Sequence, residues 1–300
     1  MNIAFFTEMR FSGKVPNNHT NMRTEFAWMY ALKADHYNYR EVPSKTYDLG
    51  VVIIPKKDPY FEIDSIRKSC KQVAVMQEGP HWYFQDYSLD KQIWYFNTLT
   101  SADIIFTHNK SDKVYYQGLT GHKDVRVLQT LMIEETIGEL KKEEREGVII
   151  GGNFVNWYGG FDSYIVANEV TDKVTAPSMG RKQPQEEELV THLPFMTWKA
   201  WIHSLNKFKI GVHLMRTHAA GTFALNCAYL GIPCIGYKGL DTQEVCHPLT
   251  TVEVGNIGKA KELIKKLDSD QEFYDFNSAA ARASYYKHYS RETFLKNFKI

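Results

Sequence analysis

The sequence predicts an α/β protein of two domains, each a parallel sheet covered by helices. Short apolar runs alternate with amphipathic segments, the pattern that strand-helix-strand units require. A dense charged run, GELKKEEREG at 138–147, interrupts this alternation, which restarts directly after it. A chain of 300 residues, 43% apolar and 14% aromatic, is enough for two cores of ordinary size. The predicted division is a first domain at 1–137, a linker at 138–147 and a second domain at 148–300.

In the first half, the apolar runs place strands at Ile3–Thr7, Leu49–Ile54, Gln72–Met76, Ile104–Thr107 and Val125–Leu128. Helices are predicted at Met22–Leu32, Phe61–Ser69, Leu89–Thr98 and Lys110–Gly118. In the second half a strand at Val148–Ile150 leads to a helix near Asp162–Asn168, a strand near Val174 and a polar loop at 181–188. A helix at Trp198–Leu205, a strand at Ile210–Leu214, a helix at Gly221–Leu230 and a strand at Pro233–Gly236 follow. The tail is predicted helical over Gly258–Leu267 and Ala279–Phe298, with Ser290 as the N-cap of the last helix.

Composition narrows the function classes. Lys and Arg total 36 against 35 Asp and Glu, so no global basic field marks a nucleic-acid binder, and a polyanion would have to meet a local patch. Cys70, Cys227, Cys234 and Cys246 form no CxxC pair and read as reduced and structural. The N-terminal apolar stretch is too short for a signal peptide and no run approaches a membrane span, so a soluble, cytoplasmic monomer is expected. Neither G-x-G-x-x-G nor G-K-[ST] occurs, which disfavours a dinucleotide site and excludes a P-loop.

The most informative stretch is FKIGVHLMRTHAAGTFALNCAYLGIPCIGYKGLDTQ at 208–243. It reads as strand, small-residue turn, helix, strand; an ordinary βαβ segment of any α/β protein is the alternative. At His218-Ala219-Ala220-Gly221-Thr222 the small side chains leave several backbone N–H groups at a helix start uncovered, a phosphate-binding arrangement. Asn226, one turn on, offers an amide to a ribose hydroxyl, and Gly231-Ile232-Pro233 ends the helix. A second Gly-rich turn, Gly151-Gly152-Asn153, follows the first strand of the second half and lets backbone approach a phosphate; a plain βα turn is the alternative.

The 208–243 pattern resembles that of nucleotide-sugar glycosyltransferases with the GT-B fold, which carry a small-residue turn, a helix with a ribose-binding acid, and G-x-P. The resemblance implies two Rossmann-like domains facing a central cleft, with the C-terminal helix packing back toward the first domain. It implies a UDP-sugar donor and no obligatory metal. Asn226 stands where the family has its acid, and His218 where relatives have His or Glu. Asp241 and Gln243 match downstream residues that contact the sugar, and Phe195, in His192–Met196, falls where the base pocket is shaped. Phe195 as a core residue is the alternative.

Glycosyl transfer needs a base for the acceptor hydroxyl and fixed donors for the leaving diphosphate. Glu78, just past the strand KQVAVM, is the base candidate, with His81 and Asp86 in the same loop as runners-up; a solvated loop acid is the alternative for Glu78. Arg216 and the 219–222 amides are the candidates for stabilising the leaving group, with a surface ion pair as the other reading of Arg216. Asp268-Ser269-Asp270 reads as a helix-capping turn rather than a metal-binding Asp-x-Asp.

The opening strand and the segment Phe11–Thr20 resemble the start of phage glucosyl- and arabinosyltransferases that modify hydroxymethylcytosine in double-stranded DNA. That likeness implies a sugar-accepting base in DNA. Arg10, Lys14, Arg23, Lys56 and Lys57, in or near loops at the carboxyl ends of first-half strands, are the candidates for gripping phosphates, and Trp82 and Tyr83 for stacking on bases; solvated lysines and a buried Trp are the alternative for each. A cell-surface glycan acceptor and a donor-binding regulator without turnover are the other readings. Inversion at the anomeric carbon is the expected stereochemistry.

Overall fold

A computed structural model describes residues 1–55, 61–121, 124–154, 157–178 and 182–299. Lys56 and Lys57 lie outside the described residues. The first half forms a six-stranded sheet from β1 (Ile3–Thr7), β2 (Asp35–Asn38), β3 (Tyr47–Ile54), β4 (Cys70–Gln77), β5 (Ile104–Thr107) and β6 (Val125–Val127), in the order β2-β1-β3-β4-β5-β6. All its pairings are parallel. Helices α1 (Glu25–Ala31), α2 (Ile63–Arg67), α3 (Leu89–Ser101) and α4 (Lys110–Thr120) connect the strands. Burial on both faces explains why β1 and most of β3 are unbroken apolar runs.

The second half repeats the plan. Strands β7 (Glu146–Ile150), β8 (Val174–Pro177), β9 (Thr191–Leu193), β10 (Phe208–His213), β11 (Cys234–Tyr237) and β12 (Thr251–Val252) pair in parallel in the order β12-β11-β10-β7-β8-β9. Helices α5 (Gly160–Ala167), α6 (Trp198–Leu205), α7 (Thr222–Leu230) and α8 (Asp241–Cys246) flank it, followed by α9 (Ile257–Ser269), α10 (Gln271–His288) and α11 (Arg291–Asn297). In each sheet the strand order reverses once, between β1 and β3 and between β7 and β10. Ligands bind at such reversals, beyond the carboxyl ends of the strands.

Several elements carry no apolar signal and were not predicted. β2 reads DHYN; its His36 is fully buried yet satisfied, bonded to Thr7 Oγ1 at 2.8 Å and to the Phe11 carbonyl at 2.6 Å. β9, β12 and α8 are equally short or polar. Helix α1 starts at Glu25, three residues later than predicted, because Thr24 takes φ 48° and leaves the helical region. The tail is helical from Ile257 except for short breaks at Asp270 and at Tyr289–Ser290. Asp270 caps α10 through the Phe273 N–H, and Ser290 caps α11 through the Thr293 N–H, the two caps read from the sequence.

The tail returns to the first half. Tyr285 donates to Glu134 at 2.6 Å, Arg126 donates to the Lys299 carbonyl at 2.9 Å, Arg291 pairs with Glu135, and Phe298 lies against Phe106. One apolar cluster accordingly runs from β1 and α1 through 128–137 into α6, α7 and α10. All four cysteines are free and buried. Among the described residues no helix is long and apolar enough to cross a membrane.

The charged run at 138–147, read from the sequence as a linker, is anchored by side-chain bonds. Arg145 donates to the carbonyls of Asn206, Leu230 and Gly231 and to Asn206 Oδ1, and Asn206 donates to the Lys141 carbonyl at 3.0 Å. Arg145 thereby satisfies the carbonyls that end α6 and α7. Arg145→Ala should lower unfolding free energy by about 1–3 kcal/mol in urea denaturation; a change within error would mean these bonds are replaced by water at no loss.

Candidate functional site

Between the two sheets lies a cavity of about 640 Å³. The carboxyl ends of β3 and β4 (Ile53, Met76, Gln77) line one side, and those of β7 and β10 (Gly151, His213) line the other. The two sheets therefore face each other across a cleft at the places where strand order reverses.

The second-half wall is built by close approach. Gly151 has no room for a side chain: a Cβ there would lie 2.5 Å from the Phe223 ring and 2.7 Å from His213. Gly221 precedes α7 at φ 66°, where a Cβ would meet the Thr242 hydroxyl at 2.1 Å; that hydroxyl donates to the Gly221 carbonyl at 2.9 Å. Ala219, Ala220, Gly221 and Thr222 all line the cavity, so the N-terminus of α7, whose first N–H groups have no acceptor within the helix, opens onto it.

Asn226, one turn further, is buried, lines the cavity and has no hydrogen-bond partner for Oδ1 among the described residues. His213 beside it is likewise buried with neither ring nitrogen partnered. Burial pushes its imidazole down to about 4, so it is neutral at physiological pH. Unpartnered buried polar groups are costly unless a ligand satisfies them.

The first-half wall carries two carboxylates, Glu25 and Glu78, and one guanidinium, Arg23. Glu78 follows β4, its N–H held by the Ile54 carbonyl at 2.9 Å. Glu25 opens α1 directly after strained Thr24, whose hydroxyl bonds the Glu25 carboxylate. Burial raises the Glu25 carboxyl above the usual range, and the neighbouring charge of Glu78 adds to the effect, against the Thr24 bond and Arg23. Non-glycine strain of this kind clusters at functional sites.

The other predicted residues fall at varied distances from the cavity. Trp82 and Tyr83 sit at its rim, each edge-on to Trp157, a lining residue, with ring centroids 5.4 Å apart. Phe195 lines the mouth and is 78% exposed, so it is not core. Arg216 does not line the cavity; it is 63% exposed and paired with Asp162 at 3.0 Å, the surface ion pair of the alternative reading. Gln243 is buried against the Cys234 carbonyl at 2.9 Å, bracing β11. Gly152 packs on the Tyr158 carbonyl and Asn153 on Gly160, behind the wall. Asp86 and Arg10 are exposed outside it, and Lys14 is tied to Asp35 at 2.7 Å.

His81, His218 and Asp241 belong to a contact between the halves. His81 Nδ1 and His218 Nδ1 lie 3.2 and 3.1 Å from Asp112 Oδ1. Asn109 donates to the Ala219 carbonyl at 2.9 Å, and Asp241 Oδ2 accepts the Lys110 N–H at 3.1 Å. Burial works to raise the Asp112 carboxyl, but bonds from His218, His81 and Asn109 outweigh it and hold it well below the carboxylate range.

Sequence reasoning missed Glu25, His213, Trp157 and Asp112. His213 ends a predicted strand beside the reversal, a position that could have been flagged. Glu25 was hidden by a helix start predicted too early.

No protein-family model and no curated protein matches the sequence. Solved structures match in fold. Sucrose-phosphate synthase from Thermosynechococcus elongatus aligns with a TM-score of 0.70 at 9% identity, over 98% of this chain and 96% of its own. An alpha-glucosyltransferase crystallised with UDP and a 13-mer DNA containing an HMU base aligns at 0.63 and 14%, over 99% and 97%. TarM aligns at 0.62 and 12% over 83% of this chain, which spans only 53% of TarM's length. At such identities the likeness is one of fold, and the fold is that of the GT-B glycosyltransferases.

Glu25 allows a direct test of the cavity's electrostatics. Because its folded-state carboxyl titrates above 4.5, the stability it contributes is full below that pH and is lost as pH rises through the folded value. Glu25→Gln should therefore raise Tm at neutral pH and give no gain below about pH 4.5. Equal melting of both proteins at neutral pH would contradict a half-buried Glu25 carboxyl held above its ordinary range.

Proposed function

We propose that the chain is a glycosyltransferase that moves a sugar from a UDP-sugar to a hydroxyl acceptor. The observation that carries this reading is the two-sided cavity, with free helix amides and unpartnered Asn226 on one wall and paired carboxylates on the other. In this reading residues 1–137 form the acceptor domain, 138–147 the linker and 148–300 the donor domain. The diphosphate is met by the 219–222 amides and the α7 dipole, helped by neutral His213, without an obligatory metal. Asn226 holds a ribose hydroxyl. Arg216 and Gln243 have no part in it.

Glu78 is the base: the acceptor oxygen attacks the anomeric carbon, its proton passes to the carboxylate, and the bond to the diphosphate breaks. A single displacement of this kind inverts the anomeric carbon. A product of retained configuration, read by NMR, would remove Glu78 from that role. Glu78→Gln should lower kcat by about 10²- to 10⁴-fold with UDP affinity unchanged. Ala220→Asp, which sets a carboxylate before the helix amides, should weaken UDP at least about tenfold.

For the acceptor we favour 5-hydroxymethylcytosine in duplex DNA, receiving glucose or arabinose. The fold likeness to a DNA-bound alpha-glucosyltransferase supports it, as do the Trp82, Tyr83 and Trp157 rings at the mouth, which suit a base drawn from its stack. Incubation with hydroxymethylated or unmodified duplex and a panel of UDP-sugars, followed by nucleoside mass spectrometry, should give a hexose or pentose increment only on the modified DNA. UDP alone should raise Tm. A UDP-dependent Tm rise with no increment on any DNA would redirect the acceptor to a surface glycan.

A further inference from the structure

We propose that His81, Asp112 and His218 form a binding site for a divalent transition-metal ion that bridges the two halves of the chain. Three segments supply the ligands: the turn after β4, the first turn of α4, and the loop before α7. The pairs are 31 and 106 positions apart in sequence, so only the fold assembles them. His218 directly precedes the 219–222 turn that lines the cavity.

The geometry fits an ion with little movement. Both imidazoles present Nδ1 to the same carboxylate oxygen, at 3.2 and 3.1 Å, and one ligand atom from each residue lies within 4.8 Å of the others. A tetrahedral ion with bonds of about 2.0–2.2 Å holds its ligand atoms about 3.3–3.6 Å apart. Two imidazoles and one carboxylate are a Zn²⁺, Co²⁺ or Mn²⁺ set, and Mg²⁺ or Ca²⁺ would require oxygen ligands.

The surroundings are those of a supported site. Asn109 Nδ2 bonds Asp112 Oδ2 at 3.1 Å and Tyr115 packs on the His81 ring, while Ser111 Oγ, 3.1 Å from His218 Nδ1, holds the position an ion would take over. A void of about 10 Å³, close to the room one water needs, adjoins His81 and Asp112. Gln77 also lines it, buried and with Oε1 unpartnered among the described residues, which gives a fourth ligand or its water an acceptor. Because ligands come from both halves, an ion here favours the arrangement that closes the cavity.

The test uses untagged, chelator-stripped protein and reads binding rather than turnover, so it stands apart from the proposed activity. Titration with Co²⁺ should give ligand-field absorption saturating at one ion per chain, and Zn²⁺ should displace it and raise Tm. His81→Gln and His218→Gln, which keep a hydrogen bond to Asp112, should each weaken binding at least about tenfold. His203→Gln, on α6 and bonded to the Ile137 carbonyl, should bind as the parent does. In the unaltered protein, Zn²⁺ should shift the ¹⁵N resonances of two histidine rings. Absence of one-to-one binding, or binding unaltered in both ligand variants, would overturn the proposal and leave the three groups as a hydrogen-bonded clasp.

Discussion

The cavity depends on one contact, the seating of the first turn of α4 on the loop before α7 and the start of α8. A helix start presents unsatisfied N–H groups, and here the acceptor for the Lys110 N–H is a carboxylate from the other half, Asp241. Asn109 completes the joint in both directions, donating to the Ala219 carbonyl and accepting the Asp241 N–H at 3.0 Å. These bonds set the small-residue turn at 219–222 opposite the ends of β4 and β5. Asp241, matched by family pattern to a sugar contact, serves this joint.

The chemistry of the cavity follows from its charge. Its lining includes one guanidinium and two carboxylates, with Arg216 turned outward. A diphosphate there finds no excess of cationic side chains and must be held by dipoles. The N-terminus of α7 supplies roughly half a positive charge, and glycine at 151 keeps that wall thin. His213 suits the same logic, since burial keeps it neutral and able to donate a hydrogen bond without bringing in a charge. Across the cleft, the burial that raises Glu25 leaves a carboxyl able to hold a proton beside Glu78.

Most of the sheet framework was legible because its strands are buried on both faces and so are written as apolar runs; β1 appears with the predicted bounds. β2 and β9 were not, because tertiary bonds rather than apolar burial hold their residues in place. In the site, the α7 start and Asn226 were readable from local pattern: small residues, then an amide one turn on. The Arg216 pair with Asp162 was not readable, because the two residues lie 54 positions apart in sequence. Glu25 and the His81–Asp112–His218 group depend respectively on a backbone distortion at Thr24 and on a contact between halves, and neither leaves a periodic trace.

In the proposed function the donor diphosphate rests on the start of α7 within the cleft between the sheets. A crystal structure of the UDP complex tests it most directly. Diphosphate oxygens are expected within hydrogen-bond distance of the backbone amides at 220–222, with Asn226 on the ribose. UDP lodged instead at the β1–β3 reversal, with those amides facing solvent, would contradict it.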